Sequence, residues 1–243
     1  EFTDEVLGEI NIPTFYTAGL YDMTVGPIDF FSRQESLQPN DPHRYLLIGP
    51  WNHSQTYSSF QQKQPNGERV TPENGRVDLV QQRLLFFKKY LKGDKQLSVQ
   101  NKRVRLYVTG LDQWLDFSTF PIPDTDYLNL YLHSEGEANN FPGDGSLNTD
   151  KPCKQPPDTY IYDPGFPTPS EDKPILDRRN IEIRSDVLTY TSATFSTPVI
   201  ILGEIKLFLY ASSDALDTDW FANITEVFPD GKSIAFHYSI SAI

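Results

Sequence analysis

The chain has 243 residues, 38% hydrophobic and 13% aromatic content, and a formal net charge of −12 at pH 7. That length carries one large domain or two modest ones, and the acidic balance argues against nucleic acid and anionic membranes as partners, since both would repel it. The 19 prolines and many aromatics point to loops and bulky β packing rather than a helical bundle, and the single cysteine, Cys153, excludes an internal disulfide and argues against a cysteine-based zinc site; no metal or cofactor is expected.

No apolar run approaches the roughly 20 residues of a membrane span, and no signal-peptide pattern opens the chain. Residues 1–5 lead almost at once into a strand-like run over 12–19, which is followed by Leu20, Tyr21 and Asp22. Nothing earlier supplies that strand with a neighbour, and residues 233–240 alternate like a strand just before the sequence stops, so both ends read as cut. A helix is expected over 28–37, closed by the turn Pro39-Asn40-Asp41-Pro42. A second buried strand, 45–49, runs into Pro50-Trp51-Asn52-His53. Residues just past the carboxyl ends of strands in an open α/β sheet meet in its functional crevice. An Asp and a later His delivered there match the last two members of the Ser, Asp, His order of an α/β-hydrolase triad.

The segment 55–74 is polar and long enough to be a functional loop. The next helix is expected over 78–92, with Val80, Leu84, Phe87 and Leu91 on its buried face, lysines at its C-terminus and Gly93 as cap. Composition changes near Gln100. From there only strand-like runs follow, at 104–108, 127–132, 158–162, 186–190, 199–202, 205–210 and 220–224, broken by Gly, Pro, Asn and Asp. Many short strands with irregular turns fit an all-β sandwich of jelly-roll type.

Gly19-Leu20-Tyr21-Asp22 followed by Gly49-Pro50-Trp51-Asn52-His53 resembles the paired motifs of the cocaine esterase / X-Pro dipeptidyl-peptidase family of serine hydrolases. The resemblance continues in order through Phe86-Phe87-Lys88-Lys89-Tyr90-Leu91-Lys92-Gly93, Val104-Arg105-Leu106-Tyr107-Val108 with Trp114, and Tyr162-Asp163-Pro164 with Pro167-Thr168-Pro169. It extends through Ser185-Asp186-Val187-Leu188-Thr189-Tyr190, Asp217-Thr218-Asp219-Trp220 and Val227-Phe228-Pro229-Asp230-Gly231. It implies a three-part enzyme: an α/β-hydrolase domain with an inserted helical cap, and a C-terminal jelly roll. On that resemblance the fold class is α/β plus all-β. Residues 1–100 are the C-terminal part of an α/β-hydrolase domain, and 101–243 a jelly-roll β-sandwich cut at its end. Asp22 and His53 become the catalytic pair, with the serine, cap and oxyanion groups before Glu1 and a small ester or peptide as substrate. Leu20, Tyr21, Thr24 and Trp51 fall near the acyl pocket. Leu20 stands where many members have Trp, and Thr24 where some have Phe, which leaves the substrate type open.

The bland alternatives remain in view. Taken singly, Asp22 reads as a turn or cap residue and His53 as a loop residue. His43, His133 and His237 have no partner at ligand spacing. Asp214, Asp217 and Asp219 lack the Gly and terminal Glu of an EF-hand loop and read as a turn. No G-x-S-x-G occurs in the 243 residues, so this chain alone is expected not to turn over substrate. A carbohydrate- or protein-binding β-sandwich with an accessory α/β piece is the rival reading; it gives no reason for Asp22 to meet His53.

Overall fold

The computed structural model describes residues 2–22, 24, 26–57, 71–140, 142–169, 177–203, 205–235 and 240–242. The chain divides into two compact units. The first comprises Glu1–Thr125, Ile200–Ile224 and Phe236–Ile243; the second comprises Asp126–Val199 and Thr225–Ala235.

The first unit opens with the short helix α1 (Asp4–Gly8), capped by the Thr3 hydroxyl, which accepts from the Val6 N–H at 3.3 Å. Then come β1 (Thr14–Tyr21), α2 (Gly26–Leu37), β2 (Arg44–Asn52), α3 (Leu79–Leu91), β3 (Val104–Val108) and β4 (Gln113–Phe117). These four strands form one sheet in sequence order. β1, β2 and β3 are parallel, with Thr14 opposite Arg44 and Leu46 opposite Val104, and β4 turns back antiparallel on β3. β3, expected to open the second part of the chain, therefore extends the parallel sheet along β2. The same unit holds an antiparallel pair, β8 (Trp220–Ala222) with β11 (Ile240–Ala242).

β2 is the spine of this unit. Eight of its nine residues are buried, as befits a strand covered on both faces. Its side chains alternate, so Leu46 and Ile48 join Ala18, Phe31, Val104, Leu106 and Phe120 in one cluster. On the other face Tyr45 meets Phe86 and Val99, and Leu47 meets Trp51 and Leu79. An ion network pins α2 to the sheet. The buried Glu35 carboxylate accepts from Arg103 at 2.6 and 2.9 Å, from Arg44 at 3.3 Å, from the Thr119 hydroxyl at 2.8 Å and from the Asn40 N–H at 3.0 Å. Burial pushes the Glu35 carboxyl pKa up, but the bonds from Arg103, Thr119 and Asn40 outweigh it and hold the pKa below the ordinary value.

α3 corrects one expectation. It begins where expected, with the Asp78 carboxylate accepting from the Gln81 N–H at 2.9 Å, and Gly93 follows it at φ 73°. The buried residues are Leu79 and Phe86, whereas Val80, Leu84, Phe87 and Leu91 are 40–78% exposed. The helix carries two adjacent apolar rows, and the row containing Phe86 and Tyr90 stacks on the aromatics Phe15 and Tyr45. Spacing alone does not separate two such rows. Most of the expected 55–74 loop lies outside the described residues.

The second unit is built from short strands. β5 (Tyr131–His133), β6 (Ser146–Asn148) and β7 (Thr191–Ser192) form one sheet, and β9 (Thr225–Val227) pairs antiparallel with β10 (Ser233–Ala235). The helix α4 (Arg179–Glu182) is four residues long. The Asp158 carboxylate accepts from the Ser134 and Tyr190 hydroxyls, each at 2.6 Å, and from the Ala138 N–H at 3.0 Å. The runs expected as strands at 158–162 and 186–190 in this unit carry no ladder, and neither do 199–202 and 205–210, which fall almost wholly in the first unit, with residue 204 outside the described set. Alternation makes a segment compatible with a strand, but a ladder also needs a partner from a distant part of the chain. Mixed sheets with few helices are the architecture shown.

Candidate active site

The site grows from the exits of β1 and β2. The two strands run in step from Thr14 opposite Arg44 to Gly19 opposite Gly49, and the register then slips, so that Tyr21 stands opposite Asn52. β2 thus holds one extra residue over this stretch, a bulge in a parallel pair. Without the slip Asp22 would stand level with Asn52; with it Asp22 stands level with His53. Pro50 has no N–H to give a ladder, and the glycines admit a close approach. A Cβ on Gly19 would fall on the Trp51 carbonyl oxygen, and one on Gly49 inside the Trp51 indole.

The two expected catalytic residues meet. His53 Nδ1 lies 3.0 Å from Asp22 Oδ1 and 3.2 Å from Oδ2, inside the reach expected for a base and its orienting acid. Asp22 is 3% exposed, and its Oδ1 also accepts from the Thr24 N–H at 2.9 Å, which fixes the carboxylate before any contact with the ring. The His53 side chain is 55% exposed. A carboxylate offers only acceptors, so the network assigns the shared proton to Nδ1. That leaves Nε2 with an open lone pair and, among the described residues, no hydrogen-bond partner. The Tyr57 ring stands edge-on to the imidazole, with centroids 5.4 Å apart.

Of the residues expected near a substrate pocket, Thr24 is exposed beside Asp22, Leu20 packs partly against the Phe31 cluster, and Tyr21 is buried. Trp51 is a correction. It is fully buried, packs on Leu47 and Leu79, and donates its indole N–H to the Gly75 carbonyl at 3.1 Å. Placing the bulge at Gly49–Trp51 turns that side chain into the core rather than toward an open surface.

Sequence reasoning missed the residues that hold the His53 turn. The Asn52 side-chain oxygen accepts from the Gln55 N–H at 3.0 Å and the Ser54 hydroxyl at 2.9 Å, while Gln55 Oε1 accepts from the Asn52 N–H at 2.9 Å. The Thr56 hydroxyl donates to the His53 carbonyl at 2.6 Å, and Arg83 on α3 donates to the Thr56 carbonyl at 2.6 Å. The signal was present: a capping residue followed three positions later by Gln is a reciprocal-cap pattern.

Residues 98–242 match the family model described as the X-Pro dipeptidyl-peptidase C-terminal non-catalytic domain; Asp22 and His53 lie ahead of that match. The chain is 34% identical over 240 residues to the cocaine esterase of Rhodococcus sp. (strain MB1 Bresler), covering 95% of this chain and 41% of that protein. In fold it is similar to an aminopeptidase from a marine sediment Thaumarchaeota archaeon, with a TM-score of 0.70 at 22% identity, over 99% of this chain and 44% of that one. The chain therefore spans less than half the length of the relatives it matches. With the model match covering more than half of its residues, the chain belongs to the cocaine esterase / X-Pro dipeptidyl-peptidase family.

Proposed function

We propose that these 243 residues work as part of a longer serine hydrolase that cleaves acyl esters or amides. The observation that carries this reading is the Asp22–His53 contact at 3.0 Å at the exits of two parallel strands. In it the sheet of β1–β4 with α2 and α3, which runs past residue 100 to Phe117, is the end of an α/β-hydrolase domain, and the short strands that follow belong to a jelly-roll β-sandwich. A serine supplied by sequence outside this chain gives its hydroxyl proton to His53 Nε2 as its oxygen attacks the substrate carbonyl. Asp22 holds the ring and stabilises the imidazolium that results. The imidazolium then protonates the leaving alcohol or amine, and water repeats the cycle to release the acid. In this reading Thr24, exposed beside Asp22, and the half-buried Leu20 lie nearest the acyl group, with Tyr21 buried. A carbohydrate- or protein-binding module has no use for the Asp–His contact.

Two measurements test this. The chain alone, incubated with a fluorophosphonate probe, is expected to show no covalent adduct by intact mass, and no turnover of a p-nitrophenyl ester or an X-Pro-nitroanilide. The longer protein is expected to do both, and to lose about 10⁴-fold in kcat on Asp22→Asn, the loss seen for the equivalent change in a well-studied serine protease. Full activity in the longer Asp22→Asn protein overturns the proposal. A stoichiometric adduct on a serine of this chain overturns the placement of the nucleophile.

A further inference from the structure

We propose that Asn52 and Gln55, anchored to α3 through Arg83, are positioning residues that present His53 Nδ1 to Asp22. The catalytic meaning of this rests on the reading above; the geometry does not.

The difficulty the fold must solve is specific. Asp22 is 3% exposed and already held by the Thr24 N–H, but the His53 side chain is 55% exposed and follows the last residue of β2. Side chains of that exposure exchange rotamers freely. A shift of about 1 Å at the backbone would carry the 3.0 Å contact past hydrogen-bond range. The sheet fixes the chain only as far as Asn52. Beyond it, the reciprocal Asn52–Gln55 bonds close a ring around His53 on both sides, at 2.9 and 3.0 Å. The His53 carbonyl is held by the Thr56 hydroxyl, and the Thr56 carbonyl by Arg83. α3 is itself seated on the sheet through Leu79 and Phe86, so the turn is tied to the same rigid body that carries Asp22. These bonds of Asn52, Gln55, Thr56 and Arg83 all run to the turn 52–56 itself, so they act on His53 through the backbone of that turn.

The test uses this chain as it stands. In a long-range proton–nitrogen NMR correlation at a pH where the ring is neutral, Asp22 favours the Nδ1–H tautomer of His53, whereas a free imidazole side chain favours Nε2–H. Asn52→Leu removes the acceptor for two donors, and Gln55→Ala removes the acceptor for the Asn52 N–H. Both are expected to lower the Nδ1–H to Nε2–H ratio by roughly tenfold or more, comparable to losing one hydrogen bond to a charged group. Asn52→Asp keeps the acceptor and is expected to keep the ratio. Should Asn52→Leu fail to fold by circular dichroism, Gln55→Ala carries the test. Folded Asn52→Leu or Gln55→Ala chains with an unchanged ratio overturn the proposal. An Nε2–H ring in the unsubstituted chain is a different failure, since it removes the Asp22–His53 contact on which the proposed function stands.

Discussion

Replacing Glu35 by Gln removes one negative charge and almost no volume, so it isolates what the ion network contributes. Glu35 is 6% exposed, Arg44 is 1% exposed, and the Arg103 side chain is 13% exposed. Removing one partner from a buried ion pair costs about 3–5 kcal/mol. Arg44 keeps bonds to the Gln38 carbonyl and side chain at 3.0 Å, and Arg103 keeps the Asp41 carbonyl at 3.1 Å, which points to the lower end, about 3 kcal/mol. The effect depends on pH with a definite sign. The Glu35 carboxyl titrates below its ordinary 4.5 in the folded chain. Its contribution is therefore complete above that value and is lost as pH falls through the folded-state value. The assay is urea unfolding followed by tryptophan fluorescence, since Trp51, Trp114 and Trp220 all lie in the first unit. At pH 7 the midpoint of Glu35→Gln is expected roughly 1–1.5 M lower, and the two chains are expected to converge in acid. A midpoint within about 0.3 M at pH 7, or a gap that persists unchanged in acid, would refute the reasoning.

Two further outcomes follow from packing. Leu79→Ala is expected to cost about 2–5 kcal/mol and Leu84→Ala less than about 1 kcal/mol in the same urea assay, because only Leu79 is buried; equal losses would return the buried face of α3 to the Leu84 row. Gly19→Ala forces a methyl onto the Trp51 carbonyl and is expected to destabilise by about 1–3 kcal/mol or to break the strand register. A neutral midpoint with the Nδ1–H resonance of His53 in place would show that the two strands do not approach as closely as the bulge requires.

The parts of the molecule legible in sequence were those set by local chemistry. The apolar runs of β1 and β2, the helix between them and the order of Asp22 before His53 were all available from neighbours within a few residues. So were the limits of α3, from Asp78 and Gly93. What depended on distant partners was not. The register slip between Gly19 and Tyr21 exists only as a relation between two strands, and Pro50 was its single local trace. The buried row of α3 was decided by Phe15 and Tyr45, far away in sequence. Runs such as 199–202 and 205–210 are as rich in strand-forming apolar residues as β3, but Val199, Ile200 and Ile201 are each more than half exposed. β4 went unread because its strand character comes from the turn at Asp112, at φ 53°, folding Trp114 back beside Tyr107.

The placement of β3 bears on how such proteins are recombined. Relatedness draws a border at residue 98, just ahead of β3, yet the strand beyond that border is hydrogen-bonded along Leu46, Leu47 and Ile48 of β2. A chimera joined at that border inherits a seam with one half on each donor. The upstream half would present a bare Leu-Leu-Ile edge, which invites strand addition by other molecules, and the downstream half would uncover Val104, Leu106 and Phe120. Grafts between relatives therefore have to match side chains across β2 and β3, or carry both strands together.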